Sequence, residues 1–144
     1  MLIGEILAKV AIKKTFGIDI AKQKFAYTEY GKPFLPDYPD VHFNISHSGE
    51  YVACSVSDKP TGVDIQKISE YKLDVAEKVC NEKELKQIES SSDSASEFIK
   101  LWTQKEAVLK MYGVGIASEN IKNCLSNHNV KSKKFEDYWL SVAK

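Results

Sequence analysis

Three short runs of this 144-residue chain carry side chains whose types and spacing could do chemistry. In the run Phe98 to Tyr112, read as a helix, Glu106 lies one turn after Trp102 and Lys110 one turn after Glu106. Lys105 falls on or beside the apolar stripe of Phe98, Leu101, Trp102, Leu109 and Tyr112. A Glu106–Lys110 pair can be a plain solvent-facing i,i+4 contact. Beside two aromatics on a helix that must pack, these charges instead crowd a buried seam, and a charge held there takes a partner or an ion. In the run Gly62-Val63-Asp64-Ile65-Gln66, a strand would present Asp64 and Gln66 on one face and Val63 and Ile65 on the other. Such an acid can cap a turn, or it can hold a hard cation such as Mg²⁺ through oxygen ligands. The third run, Phe43-Asn44-Ile45-Ser46-His47-Ser48-Gly49, ends a strand in either a polar hairpin turn or a cradle for a phosphate or nucleotide. A hydrolase triad of Ser46 or Ser48, His47 and Asp64 is disfavoured, because the chain lacks a Gly-x-Ser-x-Gly elbow there and His47 adjoins both serines in sequence.

The composition limits which functions are open. Twenty basic residues balance 20 acidic ones, and every basic residue is Lys. A zero net charge argues against binding nucleic acid by bulk basicity. Any phosphate must be held by Lys point charges, His, hydroxyls or backbone N–H groups, without the two-pronged Arg fork. Cys54, Cys80 and Cys124 are odd in number and have no CxxC spacing, which fits neither a disulfide framework nor a structural zinc site and suits a reducing compartment. Glu5 and Lys9 interrupt the opening apolar run, and no stretch approaches membrane-spanning length. The expectation is a cytoplasmic protein with no membrane or nucleic-acid partner.

The elements that must position these groups follow from periodicity. Residues 2–16 predict an amphipathic helix with Leu2, Ile3, Ile6, Leu7, Val10 and Phe16 as its packing stripe, stopped by Gly17. A strand is predicted at 24–28, and Pro33, Pro36 and Pro39 keep 31–40 extended. Strands follow at 42–46, 51–57 and 61–65, the first two separated by a turn at 47–50. One helix is predicted at 74–89 and a second at about 95–112, with cap residues between them in the Ser/Asp-rich stretch 90–96 and a stop at Gly113. Strand character returns at 130–133 and 135–142. The fold class is α+β.

Gly31-Lys32-Pro33, His42 to Gly49 (HFNISHSG), Gly62 to Gln66 (GVDIQ) and Phe98 to Gly113 (FIKLWTQKEAVLKMYG), in this order, resemble the 4′-phosphopantetheinyl transferase superfamily, most closely its surfactin-synthetase-activating type. The resemblance implies transfer of the phosphopantetheine arm of coenzyme A to a serine of an acyl or peptidyl carrier protein, with Mg²⁺, releasing 3′,5′-ADP. It implies that Asp64, Gln66 and Glu106 hold the metal, that Glu106 is the base and that Lys110 and Lys105 contact the phosphates. It further implies that Lys32 and Ser46 line the adenosine end of coenzyme A and that His47 meets its 3′-phosphate. Many relatives carry Glu where this chain has Gln66.

The same resemblance predicts a single domain over 1–144. In it, 1–60 is the remnant of a first half, and 61–144 is the second half of a pseudo-duplicated fold, carrying the metal site. The surfactin-type enzymes are longer, so a trimmed chain is expected to associate as a homo-oligomer or with a completing partner. The competing expectation is a degenerate module that binds coenzyme A or carrier protein without turnover.

Overall fold

The computed structural model describes residues 2–114 and 121–144. The elements run α1 (Leu2–Phe16), β1 (Ala26–Tyr27), β2 (Pro33–Phe34), β3 (His42–Ser48), β4 (Tyr51–Ser57), β5 (Gly62–Lys67), α2 (Leu73–Val79), α3 (Glu82–Ser90), α4 (Ser94–Tyr112), a 3₁₀ turn (Ile121–Asn123), β6 (Val130–Phe135) and β7 (Tyr138–Ala143). The α+β class is as expected. The strands form an antiparallel pair β1–β2, an antiparallel hairpin β3–β4, and a three-stranded sheet in the order β5-β7-β6.

The hairpin and the three-stranded sheet meet along β3 and β5, whose backbones run in the same direction. Three side chains bridge them. The Val63 N–H donates to Asn44 Oδ1 at 2.9 Å, Ile65 N–H to Ser46 Oγ at 3.2 Å, and Lys67 N–H to Ser48 Oγ at 3.1 Å. In an antiparallel pair alternate residues turn their N–H groups away from the partner strand. The β5 amides that face away from β7 therefore find side-chain acceptors spaced at the two-residue period of β3.

One apolar cluster lies under the hairpin, where Ala8 and Ile12 of α1 meet Ile20, Leu35, Val41 and Phe43. Another joins α2, α3 and α4 through Ala76, Val79, Ile88, Phe98, Leu101 and Leu109. Where α4 covers the three-stranded sheet, Ala107, Val108 and Met111 pack with Ala143 and Cys124.

Four details depart from the periodicity reading. The packing face of α1 is Gly4, Ala8 and Ile12, whereas Leu2, Ile3, Ile6 and Val10 stand 72, 65, 53 and 58% exposed. Small residues at a four-residue spacing let the helix approach the sheet closely; a Cβ on Gly4 would lie 2.8 Å from Ile45 Cγ2. The larger aliphatic stripe is left facing water. The helix predicted at 74–89 is two helices, because Asn81 caps a new one: its side chain accepts from Glu84 N–H while Glu84 Oε1 accepts from Asn81 N–H. Strand β3 runs on to Ser48, and only Gly49 (φ 56°) and Glu50 make the turn. At the C-terminal hairpin the turn is Glu136-Asp137, so the strand predicted from 135 starts at Tyr138.

Candidate functional site

Helix α4 is capped at its start by Asp93, whose carboxylate accepts from Ser96 N–H at 3.1 Å, and at its end by Gly113 in the left-handed conformation (φ 71°). It lies directly on the start of β5, which requires glycine at position 62. A methyl group there would overlap the Ala107 carbonyl and crowd the Met111 amide. This close approach brings Asp64, one strand step beyond Val63, up to Glu106 and Lys110.

Asp64 is buried, and both its oxygens have neighbours. Ser46 Oγ donates to Oδ1 at 3.1 Å, Gln66 Nε2 donates to Oδ2 at 3.2 Å, and the Lys110 ammonium stands 4.0 Å from Oδ1. Burial raises its pKa, opposed by Lys110 and the hydrogen bonds. Lys110 also donates to the Ile45 carbonyl at 2.9 Å, which ties α4 to β3. Burial lowers the Lys110 pKa against the pull of Asp64 and Glu106. The Glu106 carboxyl is pushed up to about 7, first by burial and then by the negative charge of Asp64, with Lys110 opposing. Two partly desolvated carboxylates that share the field of one ammonium are short of positive charge.

Lys32 extends this positive field. Its ammonium donates to the Thr61 carbonyl at 3.0 Å and the Met111 carbonyl at 2.7 Å. Burial, with Lys110 nearby, lowers its pKa to about 8. A cavity of about 110 Å³ lies between Gly31, Lys32, Asn44, Ile45, Lys110 and Gly113. A second, of about 300 Å³, is lined by Lys32, Phe34, Tyr38, Val41, His42 and Phe43. Lys32 and Pro33 border both. The smaller cavity is bordered by the ammonium groups of Lys32 and Lys110, and the larger has aromatic and aliphatic walls.

The sequence-predicted residues therefore divide. Asp64, Gln66, Glu106 and Lys110 converge, and Lys32 and Ser46 adjoin them. His47 is exposed and points away from the β5-facing row of Asn44, Ser46 and Ser48. Lys105 requires correction. It is fully buried, with its ammonium 2.8 Å from Glu84 Oε1 and donating to the Ile121 and Lys122 carbonyls at 2.9 and 3.0 Å. With its donors committed to α3 and the 3₁₀ turn, it does not reach the Asp64–Glu106 pair. It is one helical step from Glu106, and that step of about 100° turns it to another neighbour. Sequence reasoning missed Glu84 as its partner, although Asn81-x-x-Glu84 is a capping-box spacing that marks a helix start there.

Among the described residues no three His, Cys, Asp and Glu side chains gather into a metal cluster. The donor set here is two carboxylates, Asp64 and Glu106, with the Gln66 amide beside them. It suits Mg²⁺, which is bound by one or two carboxylates and completes its shell with substrate phosphates and water. The deficit of positive charge at the pair fits the same ion.

The superfamily described as 4′-phosphopantetheinyl transferase matches residues 60–141, and the family described as 4′-phosphopantetheinyl transferase, N-terminal, matches residues 1–59. A 4′-phosphopantetheinyl transferase of Bacillus subtilis is 38% identical over 118 residues, covering 81% of this chain and 53% of its own length. The 4′-phosphopantetheinyl transferase gsp of Aneurinibacillus migulanus is 40% identical over 117 residues, covering 80% of this chain and 48% of its own. A more distant relative, the L-aminoadipate-semialdehyde dehydrogenase-phosphopantetheinyl transferase of Rattus norvegicus, is 30% identical over 135 residues. The chain spans about half the length of the curated relatives it matches. Since the superfamily match covers more than half of its residues, including all of β5 and α4, the chain belongs to the 4′-phosphopantetheinyl transferase superfamily.

Proposed function

We propose that this chain transfers the 4′-phosphopantetheine arm of coenzyme A to a serine hydroxyl of an acyl or peptidyl carrier protein, with Mg²⁺, and releases 3′,5′-ADP. The observation that carries the reading is the convergence of Asp64 and Glu106 on Lys110, which with Lys32 borders the cavity of about 110 Å³.

In this reading the serine oxygen attacks the phosphorus bonded to pantetheine, a new P–O bond forms, and the bond to the 3′,5′-ADP leaving group breaks. Glu106 accepts the serine proton. In the metal-free chain burial and the Asp64 charge raise its pKa to about 7, and a base is most effective when its pKa lies near the working pH. The Lys110 ammonium offsets charge on the diphosphate, and Lys32 adds to the same field. Asp64 and Glu106 would hold Mg²⁺, with Gln66 supplying an amide oxygen if its side chain turns over from its contact with Asp64. When bound, the ion supplies Lewis-acid stabilisation of charge on the phosphate oxygens. Phe34, Tyr38 and Phe43 give the adenine base apolar walls, and His47, exposed on the other face of β3, is the candidate for the 3′-phosphate.

The test is incubation with coenzyme A, Mg²⁺ and an apo carrier protein, read by intact mass. The expected result is a carrier heavier by one phosphopantetheine, dependent on Mg²⁺. Coenzyme A binding without that increment on several carriers would instead favour a module that binds and does not turn over.

A further inference from the structure

We propose that Ser46 is a positioning residue: the strand seam between β3 and β5 sets the orientation of the Asp64 carboxylate through its hydroxyl. The inference rests on the proposed function only in what Asp64 is oriented for. The orientation itself is a property of the fold.

A serine hydroxyl has one hydrogen to donate and two lone pairs to accept with. Ser46 is buried, and its geometry commits that hydrogen to Asp64 Oδ1 at 3.1 Å while it accepts from Ile65 N–H at 3.2 Å. The result is a relay from the Ile65 amide through the Ser46 hydroxyl to the carboxylate of the preceding residue, and each link polarises the next. One side chain on β3 therefore grips β5 twice, once by its backbone and once by its functional group.

The neighbouring rungs provide the contrast. Asn44 and Ser48 sit two residues before and after Ser46 and accept from Val63 and Lys67 N–H in the same way, yet no hydrogen bond runs from either to Asp64. They hold the seam, and Ser46 holds the seam and the carboxylate. Oδ1 is held by Ser46 and faces Lys110, and Oδ2 accepts from Gln66, so both oxygens of the Asp64 carboxylate are engaged and Ser46 is the buried one of the two donors. Outer partners of this kind fix the orientation of a ligating group as much as the chain that carries it.

The experiment compares S46A, S46T and S48A. Crystal structures of the wild type and S46A read the Asp64 orientation directly, and EPR of free aqueous Mn²⁺ reads divalent-cation affinity without any turnover. The two alanine variants each remove one rung, and both should lower the thermal midpoint. Only S46A should rotate Asp64 from its wild-type position and weaken Mn²⁺ binding, by about tenfold. S46T keeps the hydroxyl and should restore both. An unchanged Asp64 in S46A, or a Mn²⁺ loss in S48A as large as in S46A, overturns the proposal. A wild-type protein that binds no Mn²⁺ and transfers nothing would count against the proposed function. The positioning role would still be decided by the Asp64 orientation in the two structures.

Discussion

Glu106 and Lys105 are adjacent in sequence and opposite in fate, and each supports a separate prediction. A carboxyl whose pKa rises from 4.5 to about 7 on folding binds its proton more tightly in the folded chain. It favours the fold below its unfolded value, and that contribution drains away as the pH rises toward 7. Glu106→Gln cannot ionise. Without metal, the melting temperature of the wild type should therefore fall relative to that of E106Q between about pH 5 and pH 8, by on the order of a few degrees. The same variant should lose about 10²–10⁴-fold in transfer rate, since the proposed base and one metal-ligand charge go together. Melting curves across pH and single-turnover mass spectrometry check the two halves; parallel melting curves would mean that Glu106 is not held in the buried, like-charged setting described above. Lys105→Met should act on stability instead. It strands a buried Glu84 carboxylate, at a cost of about 3–5 kcal/mol. Adding Glu84→Gln, which keeps an acceptor for the Asn81 cap, should recover part of that loss in denaturant titrations.

Among the elements, the contact of α4 with β5 decides whether a site exists at all. Gly62→Ala places a methyl group against the Ala107 carbonyl, so helix and strand must separate. Overpacking of this kind costs about 1–3 kcal/mol. Because the displaced helix carries both Glu106 and Lys110, the transfer rate per folded molecule should fall as well, whereas a purely global destabilisation would leave it intact. Urea unfolding paired with activity normalised to the folded fraction separates the two. Much of this was legible in the sequence: α4 with its glycine stop, β4 in full, and the facing of Asp64 and Gln66 all follow from period and caps. The seam was not. Asn44, Ser46 and Ser48 alternate with Phe43, Ile45 and His47, which is also how a solvent-facing polar row would read, and only the neighbouring strand shows that the row is a set of acceptors. The packing face of α1 failed for a related reason, since both of its stripes are apolar and the smaller side chains were the ones buried. Lys105 failed because one residue of helix advance separates a site from a core, and spacing alone does not say which neighbour waits on each side.

For the whole molecule, the cavity beside Lys110 is built from both matched regions: Gly31, Lys32, Asn44 and Ile45 supply one wall, and Lys110 and Gly113 the other. Lys32 fastens them through the Thr61 and Met111 carbonyls, so the coenzyme end and the carboxylate end should hold or lose their arrangement together. The exposed face of α1 belongs to this scale as well. Leu2, Ile3, Ile6, Leu7 and Val10 lie within nine residues on one side of a helix whose other side is already packed. Water in contact with so much aliphatic surface favours its removal, at roughly 25 cal/mol for each Å² covered. A stripe along one helix can cover itself by pairing antiparallel with its own copy about a two-fold axis, the commonest closed arrangement for identical chains. Charges of both signs, Glu5 and Lys9, accompany the stripe on the same helix, so such a pairing meets no uniform repulsion. At micromolar concentration the chain should therefore scatter light with a mass above 16.2 kDa, and Ile6→Glu, which puts a carboxylate in the middle of the stripe, should return it to the monomer value without lowering its melting temperature. A wild-type chain that stays at 16.2 kDa across that range would mean that the face is tolerated in water, as scattered apolar surface is on many folded proteins.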